Sequence, residues 1–169
     1  MQQREQGWVA NEAGKMLKNM FDQTSFQILL LLARAWAEKQ ERVILLAGVP
    51  LSPSQFADSQ EIGVVHPEKV RLLKVSVIPV PKNPFLRAAA HATHLISPKT
   101  AGLALRYGIF IRADGWDDRR LVFHELVHTK QYERLGGIPQ FLQQYLFECL
   151  TIGYPASPME QEAIITTAR

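Results

Sequence analysis

The sequence predicts a single α+β domain, and three observations point to this fold class. Apolar residues recur at helical spacing between residues 11 and 40, whereas two β-branched segments, 69–80 and 102–112, have the character of strands. A second amphipathic helical stretch follows Asp117. The chain has 169 residues, 47% of them hydrophobic and 21% charged, which is the size and balance of one globular domain with its own core.

The N-terminal part is predicted to be helical. Met16, Leu17 and Met20 keep helical spacing, and the apolar pattern continues beyond a predicted break near residues 22–25, where good N-cap residues occur. The proline- and glycine-rich stretch 47–67 is a predicted connector.

The connector contains one predicted short helix, from Pro53 to Ile62, with Ser52 as its N-cap. No repeat or flexible linker divides the chain. We therefore expect one domain over residues 1–169, with 1–60 as an N-terminal helical part and 61–169 as the core that holds the candidate functional residues.

The two β-branched segments are predicted to be the strands of a small sheet. Residues 69–80 end at a proline cluster, and residues 102–112 end at the Asp114–Gly115 turn. Both segments belong to a basic part of the chain, since residues 61–112 contain eight Lys and Arg against two Glu.

These basic residues favour a solvated strand face over a nucleic-acid surface. Lys69, Arg71 and Lys74 alternate or nearly alternate with apolar residues, and no nucleic-acid-binding motif is recognised. We therefore expect no nucleic-acid partner, and a nucleic-acid-binding protein remains only a third hypothesis for function.

Composition also bears on location. The apolar stretch Phe26–Ala37 contains Arg34 and is shorter than the ~20 residues of a membrane span, so it predicts a buried helix and no membrane partner. The N-terminus lacks the pattern of an export signal, and Cys149, the single cysteine, is predicted to be a buried structural thiol. A cytoplasmic location is the expectation, and the oligomeric state is open.

A helix is predicted over residues 117–135. Asp117 and Asp118 are its candidate caps, and Gly136–Gly137 ends it. Within it, Val122, Phe123, Leu126 and Val127 form one apolar face that is expected to meet the core.

The opposite face of this helix carries the sequence HELVH, which is an HExxH motif. His124 and His128 are four residues apart, so both imidazoles can reach one Zn²⁺ ion. Glu125 follows the first histidine and is the predicted general base for a zinc-activated water. The pattern predicts zinc-dependent hydrolysis of peptide bonds.

A catalytic zinc site takes a third protein ligand, and the C-terminal sequence SPMEQEA offers Glu160 and Glu162. Glu160 has a competing structural interpretation, because Ser157, Pro158 and Glu160 have the spacing of a capping box. Spacing alone leaves the two interpretations even.

HELVHTKQYERLG, followed by a helix, a GYP turn and ExEA, resembles the minimal gluzincins, a class of HExxH zinc metallopeptidases that includes bacterial proteins of a domain-of-unknown-function family. The resemblance covers about residues 100–165. It implies a minimal zincin fold in which a C-terminal helix supplies the third ligand, here Glu160, to one zinc ion. Related sequences often have an acidic residue four positions after this ligand to orient a zinc histidine, whereas this chain has Ile164.

The resemblance also implies an edge strand that pairs with an extended peptide or protein substrate, and residues 102–112 stand at that place. Tyr132 and Tyr154 are candidate stabilisers of the oxyanion, because a phenol can donate to the reacting oxygen. Either tyrosine has packing as its alternative role. The rival for the whole function is a catalytically silent zinc-binding module that serves assembly or partner binding.

Three other histidines occur, His66, His91 and His94. The last two have a spacing of three, which a second metal could use on a helix, but no further ligands lie nearby in the sequence. A surface or core role is the prediction for all three.

Overall fold

Six helices and a four-stranded sheet form the part of the chain that the computed structural model describes, residues 23–93 and 95–168. This confirms the predicted mixed α+β class. The helices are α1 (Gln23–Ala47), α2 (Pro53–Ile62), α3 (Pro84–Ala92), α4 (Arg119–Leu135), α5 (Ile138–Thr151) and α6 (Pro158–Thr167). The strands are β1 (Val49–Pro50), β2 (Arg71–Val75), β3 (Gly102–Leu105) and β4 (Gly108–Arg112).

Local sequence signals explain where the short helices begin. Ser52 caps α2 as predicted, and Gln55 bonds back to the Ser52 backbone to complete a capping box. The α3 helix was not predicted. Its cap is Asn83, whose Oδ1 accepts from the Leu86 N–H at 3.0 Å, so the proline cluster that was predicted to end a strand contains a helix start.

α1 buries one face only within the described residues, so the prediction of a buried helix for residues 26–37 was half right. Leu29, Ala33 and Ala37 are buried, whereas Leu31 is exposed. The predicted helical residues Met16, Leu17 and Met20 lie outside the described residues. No described helix combines the length and apolar character that a bilayer crossing requires.

The sheet has the order β1-β2-β4-β3, with β2 parallel to β4 and the other neighbours antiparallel. The prediction of one strand over residues 102–112 was wrong, because Arg106 and Tyr107 form a tight turn between β3 and β4. The first observed strand is shorter than the prediction of 69–80. Lys69 belongs to a 3₁₀ turn that precedes β2, and β2 itself ends at Val75.

A buried carboxylate holds the turn of this hairpin. Arg106 has a φ of 61°, in the left-handed region that residues with a Cβ seldom adopt. Its guanidinium makes two 2.8 Å bonds to Glu41 of α1, and the Tyr107 N–H adds a third bond to the same carboxylate at 3.2 Å. Thr129 of α4 donates to the Arg106 carbonyl at 2.8 Å. Contacts from two helices therefore hold the strained turn.

The two faces of the sheet belong to two apolar clusters. Leu103, Leu105 and Phe110 pack on the side of α1 and α5. Ile109 and Ile111, with their neighbours on β2 and β3, pack on the other side against α4 and α2. Alternate residues along each strand thus face opposite layers, as the pleat requires.

α4 lies between the sheet and the C-terminal helices, and both of its faces are largely covered. Val122, Leu126 and Val127 pack on the sheet as predicted. The opposite, polar face is also largely covered, since His128 and Glu125 are only 7% and 6% exposed. The tertiary fold buries this polar face because α5 and α6 pack along it.

Candidate metal centre

Two histidines lie one turn apart on α4. The Asp118 carboxylate caps the helix by accepting two backbone N–H bonds of its first turn, at 2.9 and 3.2 Å, and Gly136 ends it with a φ of 97°. Asp117, the other predicted cap, is not the N-cap residue. Because His124 and His128 are four positions apart, they share one side of the helix, and their Nε2 atoms are 3.2 Å apart.

The α6 helix brings Glu160 to these histidines. Its Oε1 lies 3.2 Å from the Nε2 of His128, and its Oε2 lies 3.5 Å from the Nε2 of His124. One ligand atom from each of the three residues lies within 4.8 Å of the other two. The fold therefore brings together the three residues that the sequence analysis named as metal ligands.

The capping-box interpretation of Glu160 was wrong. Ser157 is the N-cap residue of α6, but its side chain makes no capping hydrogen bond. The backbone N–H of Met159 instead donates to the buried Glu148 of α5 at 2.9 Å. The carboxylate of Glu160 is consequently free of the helix end and directed towards the histidines.

Glu162, the other candidate ligand, is engaged elsewhere. Its two carboxylate oxygens each accept a 2.8 Å bond from the guanidinium of Arg134, and Oε2 also accepts from Nε2 of Gln131 at 3.0 Å. The ion pair lowers the pKa of the Glu162 carboxyl. The structure thus distinguishes Glu160, which lies beside the histidines, from Glu162, which does not; spacing in the sequence could not distinguish them.

Gln131 orients one zinc-ligand candidate. Its Nε2 donates to the Met159 carbonyl and to Glu162, so its Oε1 is the acceptor for the Nδ1–H of His128 at 2.8 Å. A neutral His128 that holds its proton on Nδ1 leaves Nε2 free to bind a metal. The sequence analysis missed this role, although Gln131 lies three residues after His128 on the same helical face.

Tyr145 of α5 was not a predicted site residue, and it contacts the centre directly. Its hydroxyl donates a short hydrogen bond to Oε1 of Glu160. The α5 helix thus helps to position the carboxylate of Glu160. Ile164, which stands where gluzincin-like sequences often have an acidic residue, is 40% exposed. No sequence signal distinguished this tyrosine from its apolar neighbours on the same helix.

Glu125 faces β3 from the helix. Burial raises the pKa of its carboxyl, against the opposing influence of the two nearby histidines. A Cβ at Gly102 would lie 2.5 Å from Oε1 of Glu125, so the strand approaches the carboxylate this closely only because residue 102 has no side chain. Gly102 is therefore a residue of the site that the sequence analysis did not single out.

The two candidate tyrosines have different surroundings. Tyr132 is fully buried, stacks on Phe141 at 3.6 Å between ring centroids and donates its hydroxyl to the Ala104 carbonyl at 3.3 Å. This environment favours its packing role. Tyr154 is 41% exposed and lines the same cavity as the histidines. Burial of its hydroxyl, with the nearby carboxylates of Glu160 and Glu125, raises its pKa to about 12.

Strong electrostatic coupling links His128 and Glu160. Burial alone would lower the pKa of His128, but the hydrogen bond and charge of Glu160 outweigh burial and raise it to about 9. The same histidines hold the pKa of Glu160 well below its usual range, in spite of burial. His128 and Glu160 therefore stabilise each other's charged forms.

The geometry of these donor atoms fits a zinc ion. Tetrahedral coordination with bonds of ~2.0 to 2.1 Å separates ligand atoms by about 3.3 Å. The Nε2 atoms of His124 and His128 are 3.2 Å apart, and each lies near a different oxygen of Glu160: Oε1 is 3.2 Å from His128, and Oε2 is 3.5 Å from His124. Oε2 of Glu160 is also buried and has no hydrogen-bond partner among the described residues, which is costly unless another group binds it.

The remaining histidines lie apart from this cluster. The Nδ1 of His66 is 3.2 Å from Glu68, and His91 is an exposed residue of α3. His94 lies outside the described residues. Cys149 is buried in α5, as predicted.

Comparison with other proteins adds no assignment. The chain matches no protein-family model. It likewise matches no curated protein and no solved structure.

Proposed function

We propose that the protein is a zinc-dependent peptidase of the minimal gluzincin type. His124, His128 and Glu160 would hold the metal, and Glu125 would be the general base. The observation that carries the proposal is the convergence of two imidazoles and a carboxylate, with one ligand atom from each within 4.8 Å of the other two. One oxygen of that carboxylate is buried and has no hydrogen-bond partner among the described residues.

Zinc, when bound, would polarise the scissile carbonyl and acidify a water molecule. Glu125 accepts the proton of that water through its carboxylate and passes it to the leaving amine. The raised pKa of this carboxyl supports both steps, because it makes the carboxylate a stronger base and lets the carboxyl hold the proton until the transfer. Gln131 and Tyr145 keep the ligand atoms directed towards one point.

The strand proposed to bind the substrate is β3 alone, which is shorter than the predicted strand over residues 102–112. β3 lies at an end of the described sheet, whereas β4 is an inner strand. The Ala101 carbonyl accepts from Arg112 N–H, so the next residue, Gly102, directs its backbone groups away from β4. An extended peptide bound there would pass beside Glu125, which approaches the same glycine.

The alternative, a zinc module without turnover, is less well supported. A purely structural zinc site is usually closed by four protein ligands, whereas the cluster in the described residues offers three. Such a site would also have no need for a buried carboxylate beside the metal. Glu125 and the cavity that it lines therefore favour catalysis.

Elemental analysis and peptide cleavage test the proposal together. We expect one zinc per chain in the wild type, loss of zinc in His124→Ala and Glu160→Ala, and retained zinc in Glu162→Ala, the matched control on the same helix. Glu125→Gln should keep its zinc and lose cleavage of a mixed peptide library. A wild type that binds no zinc, or a Glu160→Ala variant that keeps it, would contradict the site.

A further inference from the structure

A cavity of about 720 Å³ opens beside the candidate centre. The side chains of His124, Glu125, His128 and Glu160 line one part of it. The rest of its wall comes from α1, α3, β3 and α5 and is mainly apolar. The candidate reaction centre and this apolar space are therefore one continuous site.

Small side chains create much of the space. Ala33 and Ala37 of α1 line the cavity, and so do Ala89 and Ala90 of α3. Protein interiors are normally close-packed, and facing helices usually fill the gap between them with larger side chains. Four alanines on two facing helices leave a volume that leucine or phenylalanine at the same positions would occupy.

The volume is too large for one substrate side chain. An engineered apolar cavity of ~150 Å³ accommodates benzene, which is the size of a phenylalanine ring. The cavity here is several times larger and falls in the range of pockets that enclose a drug-sized ligand. Its occupant should therefore present more than one large apolar group.

The strand that borders the cavity indicates how such groups are spaced. All four residues of β3 line the cavity, and Leu103 and Leu105 belong to the apolar cluster that includes the alanines of α1 and α3. Their face of the strand therefore borders the apolar part of the cavity. A peptide paired with β3 would direct alternate side chains to the same face, about 6.6 Å apart along the strand. Two large apolar residues separated by one residue would both reach the cavity.

We propose that the substrate is a peptide segment with large apolar residues at alternate positions next to the scissile bond. Such a segment is buried in most folded proteins, so it is accessible in unfolded or partly unfolded chains. This inference rests on the proposed peptidase function for the position of the scissile bond. It goes beyond that function because it names the substrate class.

Binding to a non-hydrolysing protein tests the inference separately from catalysis. Zinc-loaded Glu125→Gln is titrated with three fluorescent peptides of equal length, which have leucine at two alternate positions, at one of them, or serine at both. Each leucine lost should weaken binding at least tenfold, because burial of one leucine side chain corresponds to that factor or more. Equal affinities for the three peptides would overturn the proposal.

Variants that fill the cavity give the second arm. Ala90→Leu on α3 and Ala37→Leu on α1 should each weaken binding of the two-leucine peptide at least tenfold, with zinc content unchanged. Ala88→Leu is the matched control, because Ala88 is an exposed neighbour on α3. The two substitutions lie on different helices, so the test still works if one of the variants does not fold. Thermal melting shows whether each variant is folded.

The outcomes separate the two proposals. Unchanged peptide binding by both folded cavity variants would overturn the substrate class, even if the wild type cleaves peptides. Leucine-dependent binding that the cavity variants lose, without any cleavage by the wild type, would support the apolar site and contradict the peptidase function.

Discussion

Replacement of Gly102 by alanine should separate catalysis from zinc binding. The new Cβ would lie 2.5 Å from Oε1 and 2.8 Å from Cδ and Cγ of Glu125, whereas ordinary contacts begin near 3.4 Å. The carboxylate must therefore move by about 0.9 Å, or β3 must move away from α4. The three atoms nearest to the new Cβ all belong to Glu125, so we expect the candidate metal ligands to remain in place.

The expected loss of activity is large for so small a change. Misplacement of a catalytic group by ~1 Å lowers the rate about 100-fold, which corresponds to about 2.7 kcal/mol in the activation barrier. Overpacking in a dense interior also destabilises a protein by about 1 to 3 kcal/mol. We therefore expect Gly102→Ala to keep one zinc per chain, to melt at a lower temperature and to lose about 99% of its kcat/KM.

Gly108→Ala is the matched control. Its Cβ would lie 2.9 Å from the Cβ of Ile44, a comparable clash on the neighbouring strand but with an apolar side chain of α1. This variant should lose similar stability and keep its kcat/KM per folded, zinc-loaded chain. Wild-type kcat/KM in Gly102→Ala, measured on any peptide that the wild type cleaves, would refute the assignment of Glu125 as the base.

Three further predictions follow from the contacts of the centre and the hairpin. Tyr145→Phe removes the hydroxyl bond to Glu160 and should weaken zinc binding about 10-fold in a competition titration with a chelator; unchanged affinity would contradict its positioning role. Because its pKa is raised to about 9 in the fold, His128 stabilises the metal-free protein below pH 6.5, and this contribution is lost as the pH rises to 9. Melting temperature should therefore fall over this range without zinc but not with zinc, and parallel curves would refute the coupling. Arg106→Ala leaves the buried carboxylate of Glu41 without its ion pair and should lower the free energy of unfolding by about 1 to 3 kcal/mol in urea titration, with zinc content unchanged; a loss below this range would show that solvent replaces the pair.

The local features of α4 could be predicted because they depend on residues close together in the chain. A histidine pair at a spacing of four shares one helical side in any α-helix, and Asp118 and Gly136 give the helix its ends. The capping box of α2 was predictable for the same reason. Such signals require only helix geometry and local hydrogen bonds.

The hairpin shows where local signals fail. Residues 102–112 have the composition of one long strand, and apolar residues continue on both sides of Arg106. The turn occurs at Arg106 because a carboxylate from α1, far away in the sequence, binds its guanidinium and the next backbone N–H. Strand propensity cannot report a contact of this kind.

The sequence by itself determined the α+β class, the capped helix and the pair of histidines, since these follow from periodicity and short-range spacing. Only the tertiary structure decided between Glu160 and Glu162, because the choice depends on Arg134, Gln131 and Tyr145, which reach the two carboxylates from other helices. The same holds for the close approach of Gly102 to Glu125 and for the cavity between α1 and α3. These features exist only after packing brings distant segments together, so no local pattern encodes them.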